Sequence, residues 1–76
     1  MALILRFEHK ARARNTKHGA IDATYATFMQ DNQTYLQINS FGTKTRKHLT
    51  IASQKFQFDR SSAQELYNIL KKTFDF

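Results

Sequence analysis

The chain contains no cysteine, no proline and only two glycines among its 76 residues. Without cysteine it has neither a disulfide framework nor a zinc–thiolate site to stabilise it, and this absence fits a reducing compartment. The lack of proline and the scarcity of glycine argue against a flexible linker or a low-complexity segment. We therefore expect a single domain that covers residues 1–76.

Long apolar runs are also missing. No segment approaches the ~20 apolar residues that cross a bilayer. The apolar stretch in residues 1–7 is too short for a signal peptide, and its positive charge follows it instead of preceding it. We expect a cytoplasmic protein without membrane contact. A chain this short buries only about 60% of its surface on folding, so we also expect a homodimer.

Acidic residues are few. Twelve lysines and arginines face six aspartates and glutamates, which gives a net charge of +6. A small protein with this balance is expected to associate with polyanions, with nucleic acid first and an anionic membrane surface second.

Alternating or β-branched, aromatic-rich segments predict four strands. The predicted strands are residues 3–8, 20–29, 34–41 and 53–58, and residues 49–51 form a candidate strand edge. Asp31 and Asn32 predict a tight turn between the second and third strands. The first loop covers residues 10–19, and a basic loop, 42–48 ("GTKTRKH"), follows the third strand.

A C-terminal amphipathic helix follows the strands. Asp59 is a good N-cap, and Ser62 to Glu65 also fits a capping box, which leaves the first helical residue open by one turn. Apolar residues recur with helical spacing at Ala63, Leu66, Tyr67, Leu70 and Phe74. The predicted fold is α+β, a four-stranded antiparallel meander followed by one helix packed on one sheet face.

In a meander with short connections, the first and third loops lie at the same end of the sheet, and the helix C-terminus returns there. Nine of the twelve cations would then gather at that end, beside His18 and His48. Phosphate-binding is predicted for seven of them: Lys10, Arg12, Arg14, Lys17, Lys44, Arg46 and Lys47.

The two sheet faces should differ. The helix side is predicted to carry Leu3, Leu5, Phe7, Leu36, Ile38, Phe56 and Phe58, and the outward side Arg6, Tyr35, Gln37, Asn39, Phe41, Lys55 and Gln57. Aromatic side chains interleaved with cations and amides suit the stacking of unpaired bases, which favours Tyr35 and Phe41 as base contacts. The same residues also suit a homodimer interface, and the two alternatives are compatible if they use different parts of the face.

Few features of the sequence indicate catalytic activity or metal binding. His9, His18 and His48 lie near lysines, as in metal-free ribonucleases, but no spacing places two of them on one face. Neither a His-x-His nor an HExxH pattern is present, and the carboxylates are scattered. A glycine-rich phosphate loop and a nucleophile elbow are also missing. We predict no enzyme activity, no catalytic residue, no metal site and no cofactor.

Two resemblances can be stated. Residues 36–70, with "LQINSFG" and "SQKFQFDRSSAQEL", resemble short uncharacterised bacterial proteins, which implies no particular activity. The β-β-β-β-α order, the basic segment with Lys44, Arg46 and Lys47, and the N-capped helix after Asp59 resemble the single-stranded-DNA-binding coactivators of the positive-cofactor-four type. Those proteins are dimers whose curved sheets hold unpaired DNA. The chain departs from them in lacking a tryptophan in its final helix and a glycine before its last strand.

Together these features predict a small, basic, non-catalytic module that binds nucleic acid, with single strands favoured. The first alternative is a phage-, plasmid- or defence-associated module that assists or inhibits a larger nucleic-acid enzyme by pairing its basic face with an acidic groove. The second alternative is a metal-free ribonuclease.

Overall fold

The structure is a computed structural model that describes residues 1–41 and 54–76. Its elements follow in the order β1 (Ala2–Ile4), β2 (Ala23–Gln30), β3 (Gln33–Ser40), β4 (Gln54–Phe58) and α1 (Arg60–Phe74). The α+β class, the four strands and the C-terminal helix are confirmed. The predicted basic loop and the candidate strand edge at 49–51 lie outside the described residues.

The sheet is mixed, so the predicted antiparallel meander is wrong. Its strand order is β1-β4-β3-β2, and β1 pairs parallel to β4 while the other two pairs are antiparallel. The meander required a short first connection, but β1 ends at Ile4 instead of Glu8. The connection over residues 5–22 is long enough to carry the chain from one edge strand to the other, as a parallel arrangement requires.

A two-residue turn joins β2 to β3. Asp31 and Asn32 both have positive φ values, 53° and 63°, and Gln30 pairs with Gln33 on either side of them. This geometry suits the right-handed twist of a hairpin, and aspartate and asparagine tolerate left-handed backbone better than most residues. The predicted turn is therefore confirmed.

The helix begins at the first of its two candidate starts. The Asp59 side chain accepts a hydrogen bond from the Ser62 N–H at 2.8 Å, and the Ser62 hydroxyl accepts one from the Asp59 N–H at 3.1 Å. This reciprocal pair is a capping box, and it buries Ser62 completely. The helix ends at Phe74, and its C-cap Asp75 donates its N–H to the Lys71 carbonyl. The left-handed backbone of Asp75 (φ 59°) turns the chain so that the Phe76 N–H also reaches that carbonyl, at 3.2 Å.

The hydrophobic core is small. The first half of the helix covers β3 and β4, where Ala63 and Tyr67 lie over Leu36 and Phe58. Phe7 comes from the first connection and stacks on Phe58 with ring centroids 6.2 Å apart. Within residues 1–41 and 54–76, Phe58 is the only buried hydrophobic side chain, at 6% exposure. The described helix is neither long nor apolar enough to cross a membrane.

Candidate nucleic-acid interface

The face of the sheet opposite the helix carries the candidate site, which we call the open face. Strand register defines it, because residues paired across neighbouring strands point to the same side. Gln37 pairs with Gln57, and Asn39 pairs with Lys55. Phe28 pairs with Tyr35 from the hairpin, and Leu3 of β1 pairs with Gln57. The open face therefore comprises Leu3, Phe28, Tyr35, Gln37, Asn39, Lys55 and Gln57.

Most of the outward face is as predicted, with two corrections. Tyr35, Gln37, Asn39, Lys55 and Gln57 share the open face, as the alternation indicated. Leu3 was expected to face the helix, but its pairing with Gln57 places it on the open face. Arg6 was expected on the outward face, but β1 ends before it and it lies exposed in the first connection.

An aromatic pair forms one part of the open face. The rings of Phe28 and Tyr35 stack with centroids 5.3 Å apart and planes inclined by 21°. Both side chains are half-buried, so each packs against its neighbour and still presents ring surface. The Tyr35 hydroxyl donates to Gln33 Oε1 at 3.3 Å, which fixes the outer end of the ring. A shallow cleft beside the pair is lined by Leu3, Phe28, Gln30, Tyr35 and Gln57.

A row of hydrogen-bonded amides runs beside the aromatic pair. Gln57 Nε2 donates to Gln37 Oε1, and Gln37 Nε2 donates to Asn39 Oδ1, both at 2.9 Å. Each amide nitrogen carries two hydrogens, and within residues 1–41 and 54–76 Gln57 and Gln37 each use one N–H in this row. The chain of bonds orients the amides, and Lys55 stands opposite Asn39 at the end of the row. This arrangement offers fixed donors and acceptors beside a positive charge.

Sequence reasoning missed the contribution of Phe28, because alanines dilute both faces of β2. The turn between β2 and β3 provides the information needed to assign Phe28 to a face. A two-residue turn at Asp31 and Asn32 makes Gln30 and Gln33 partners, and counting back along both strands places Phe28 opposite Tyr35. The register of this aromatic pair was therefore available from the turn alone.

The cations at Lys10, Arg12, Arg14 and Lys17, which we call the first basic run, do not lie in a hairpin bend. The first connection leaves β1 at the end of the sheet where the helix begins, and it rejoins β2 at the opposite end. The Phe7 N–H donates to Glu65 Oε1 at 3.2 Å, and Lys10 lines a cleft with Glu65 and Asn68. The prediction that the first loop bends back at one end of the sheet is thus wrong, because this connection spans the sheet.

Four of the predicted phosphate contacts lie in the first connection, between β1 and β2. Lys10 lies beside the helix, and Arg12, Arg14 and Lys17 are exposed in the first connection, where the Asn15 side-chain amide donates to the Arg12 carbonyl at 3.4 Å. Phe41 directly follows β3 and is half-buried. Lys44, Arg46 and Lys47 lie outside the described residues, so their proximity to the first run stays a prediction. Lys71 and Lys72 are exposed in the last turn of the helix.

The groups considered for chemistry are dispersed. His9 lines the cleft beside Glu65, His18 is exposed later in the first connection, and His48 lies outside the described residues. Within the described part of the chain, three or more metal-ligating side chains do not come together. The clearest electrostatic effect is structural, since the hydrogen bond from the Ser62 N–H lowers the pKa of the Asp59 carboxyl.

Comparison with known proteins returned no match, whether to a protein family, to curated proteins or to solved structures. The two resemblances drawn from the sequence therefore stay predictions.

Proposed function

We propose that the protein binds single-stranded nucleic acid without catalysing a reaction, with bases on the open face and phosphates on the neighbouring cations. The observation that carries this proposal is the composition of the open face. It combines a stacked aromatic pair, an oriented amide row and a lysine on a surface that no described element covers. These are the groups that recognise unpaired bases.

Stacking is the first contribution. The Phe28 and Tyr35 rings stack on each other across adjacent strands, so a base would stack on an outer ring face of the pair. Stacking of a base on an aromatic ring is worth about 1–3 kcal/mol, and any base can supply it. Phe41 has the same strand parity as Tyr35 and follows β3, which makes it a candidate for a second base.

The amide row is the second contribution. Bases in a single strand expose their Watson–Crick edges, and side-chain amides bind such edges with paired donors and acceptors. Gln37 and Gln57 are held by each other, so they need little reordering when a base binds. Pre-ordered polar groups lower the entropic cost of binding.

The cations are the third contribution. Lys55 lies on the open face itself, and Lys10, Arg12, Arg14 and Lys17 form a run without an acidic residue in the first connection. Lys44, Arg46 and Lys47 would add to them if the basic loop returns to the same side. Contacts with several phosphates release counterions, so affinity should fall steeply as salt rises.

The proposal is tested by fluorescence anisotropy with labelled single-stranded DNA, single-stranded RNA and duplex DNA at about 50 mM salt and above. We expect tighter binding to a single strand than to the duplex. Tyr35→Leu should weaken single-strand binding roughly 5- to 150-fold, the equivalent of one lost stacking contact. Tyr35→Phe is the matched control, because it keeps the ring and should keep most of the affinity.

Three results would contradict the proposal. The first is equal binding by wild type and Tyr35→Leu, which would remove the open face from the site. The second is an absence of binding to all three nucleic acids at low salt, which would favour the protein-binding alternative. The third is cleavage of the RNA during long incubation, which would indicate the ribonuclease.

A further inference from the structure

The helix side of the sheet leaves large apolar side chains uncovered. Tyr25 and Met29 of β2 are 76% and 70% exposed, and Tyr67 and Phe74 of the helix are 58% and 63% exposed. Tyr67 borders a cleft of about 300 Å³ between the helix and the hairpin, lined also by Thr27, Thr34, Leu36 and Ala63. A ridge of apolar helix residues and an apolar strand therefore flank one groove on the same side of the molecule.

The exposed area is close to what one half of a stable interface needs. Six side chains make up the patch: Tyr25, Met29, Phe56, Tyr67, Leu70 and Phe74. Their exposed fractions correspond to roughly 700 Å² if such a side chain presents about 200 Å² in full. Standard interfaces bury about 800 Å² per partner. None of these six side chains is charged, and Asp59 and Arg60 line the adjoining cleft, so the partner surface should be mainly apolar.

β2, which carries Tyr25 and Met29 of the apolar patch, is also a free edge strand of the sheet. β2 is the last strand in the sheet order, and its outer backbone groups have no strand partner within the described residues. Its sequence, "ATYATFMQ", has no charge and no proline across eight residues. Natural proteins protect long edge strands with charge, proline or a bulge, because an unprotected edge pairs with another strand.

We infer that the occupant is a second copy of this chain, related by a two-fold axis through Thr27. The axis would stand perpendicular to the sheet and place two β2 strands antiparallel. Same-face pairing then sets Tyr25 opposite Met29 of the other copy, and each helix ridge approaches the other copy's apolar strand. The surface is self-complementary, because each copy carries both the ridge and the strand.

The small core supports an identical partner. Among the described hydrophobic side chains only Phe58 is buried, so covering the exposed apolar patch with a second copy would add substantially to a small core. A partner that completes the fold must be present wherever the chain is made, and a second copy always is. This inference does not depend on nucleic-acid binding. It would leave the open faces of both copies free, on one side of a continuous eight-stranded sheet.

The test begins with sedimentation equilibrium of the full chain over a wide concentration range. We expect twice the single-chain mass of 8.9 kDa, and an unfolding midpoint that rises with protein concentration. The lack of native cysteine then makes single-cysteine variants informative. Paired residues in antiparallel strands have Cα atoms about 4.5–5.5 Å apart, within reach of a disulfide. Thr27→Cys should therefore give a covalent dimer on mild oxidation, and Leu5→Cys should not.

A charge variant gives an independent measure. Tyr25→Lys should weaken dimerisation at least tenfold, since it places a charge in the apolar patch. Leu5→Lys is the matched control, because Leu5 is 60% exposed but follows the opposite edge strand. A monomer with a concentration-independent midpoint would overturn the inference. So would a dimer that does not cross-link through Thr27→Cys and withstands Tyr25→Lys, since its interface would lie elsewhere.

Discussion

At the scale of single residues, one contact fixes the start of the helix and one strand pairing fixes the side of Leu3: Asp59 accepts from the Ser62 N–H, and Leu3 pairs with Gln57. The Asp59 cap could be predicted from the local sequence, because an aspartate directly before an amphipathic helical pattern is typical of an N-cap. Leu3 was assigned to the wrong face, because alternation in a short strand does not say which side is buried. Its side became fixed only through pairing with Gln57, a partner that is distant in sequence.

The Asp59 cap gives a pH-dependent prediction. Its carboxyl pKa is lowered from 3.8, chiefly by the hydrogen bond from the Ser62 N–H, so the folded state favours the charged form. That contribution to stability is complete above the unfolded pKa and is lost as the pH falls through the lower, folded value. Asp59→Ala should therefore lower the thermal midpoint at pH 7, followed by circular dichroism, and should change it less in acid.

The matched control is Asp59→Asn, which keeps an N-cap acceptor without a titrating group. It should retain most of the stability at pH 7 and lose the pH dependence near the carboxyl pKa. A destabilisation by Asp59→Ala that is equal at neutral and acidic pH would show that the carboxylate charge plays no part.

At the scale of elements, the hairpin was predictable and the first strand was not. The β2–β3 pair depends on local information, namely alternation on both sides of a tight turn. The position of β1 depends on where a connection of 18 residues leads, and no local pattern specifies that. The parallel pairing of β1 with β4 is therefore a tertiary choice, and it removes the meander from which the gathering of the basic residues was predicted.

The turn supplies a prediction at this scale. Asn32 has φ 63°, a left-handed conformation that costs alanine about 1–2 kcal/mol but asparagine less. Asn32→Ala should thus destabilise the fold by about 1 kcal/mol in urea unfolding. Asn68→Ala, the same substitution on the exposed helix surface, should change stability by no more than about 0.5 kcal/mol. Equal effects at the two positions would mean that the turn backbone imposes no such constraint.

At the scale of the whole molecule, the two sheet faces have different compositions. The helix side exposes apolar side chains around a free edge strand, and the open face presents aromatic rings, amides and Lys55. The sequence alone indicated the composition of the open face, because period-two alternation sorts β3 and β4 without knowledge of the topology. It could not indicate the uncovered helix side, since that depends on how little of the sheet one helix reaches.

The central claim is that the open face holds the bases, and the most direct test is an NMR titration of the full chain with a single-stranded oligonucleotide. The side-chain amide signals of Gln37, Asn39 and Gln57 report the open face, and the backbone signals of residues 10–17 report the basic run. Our account predicts that both sets shift together and saturate with one affinity. Shifts confined to β2 and the helix, with the three amides unmoved, would contradict it.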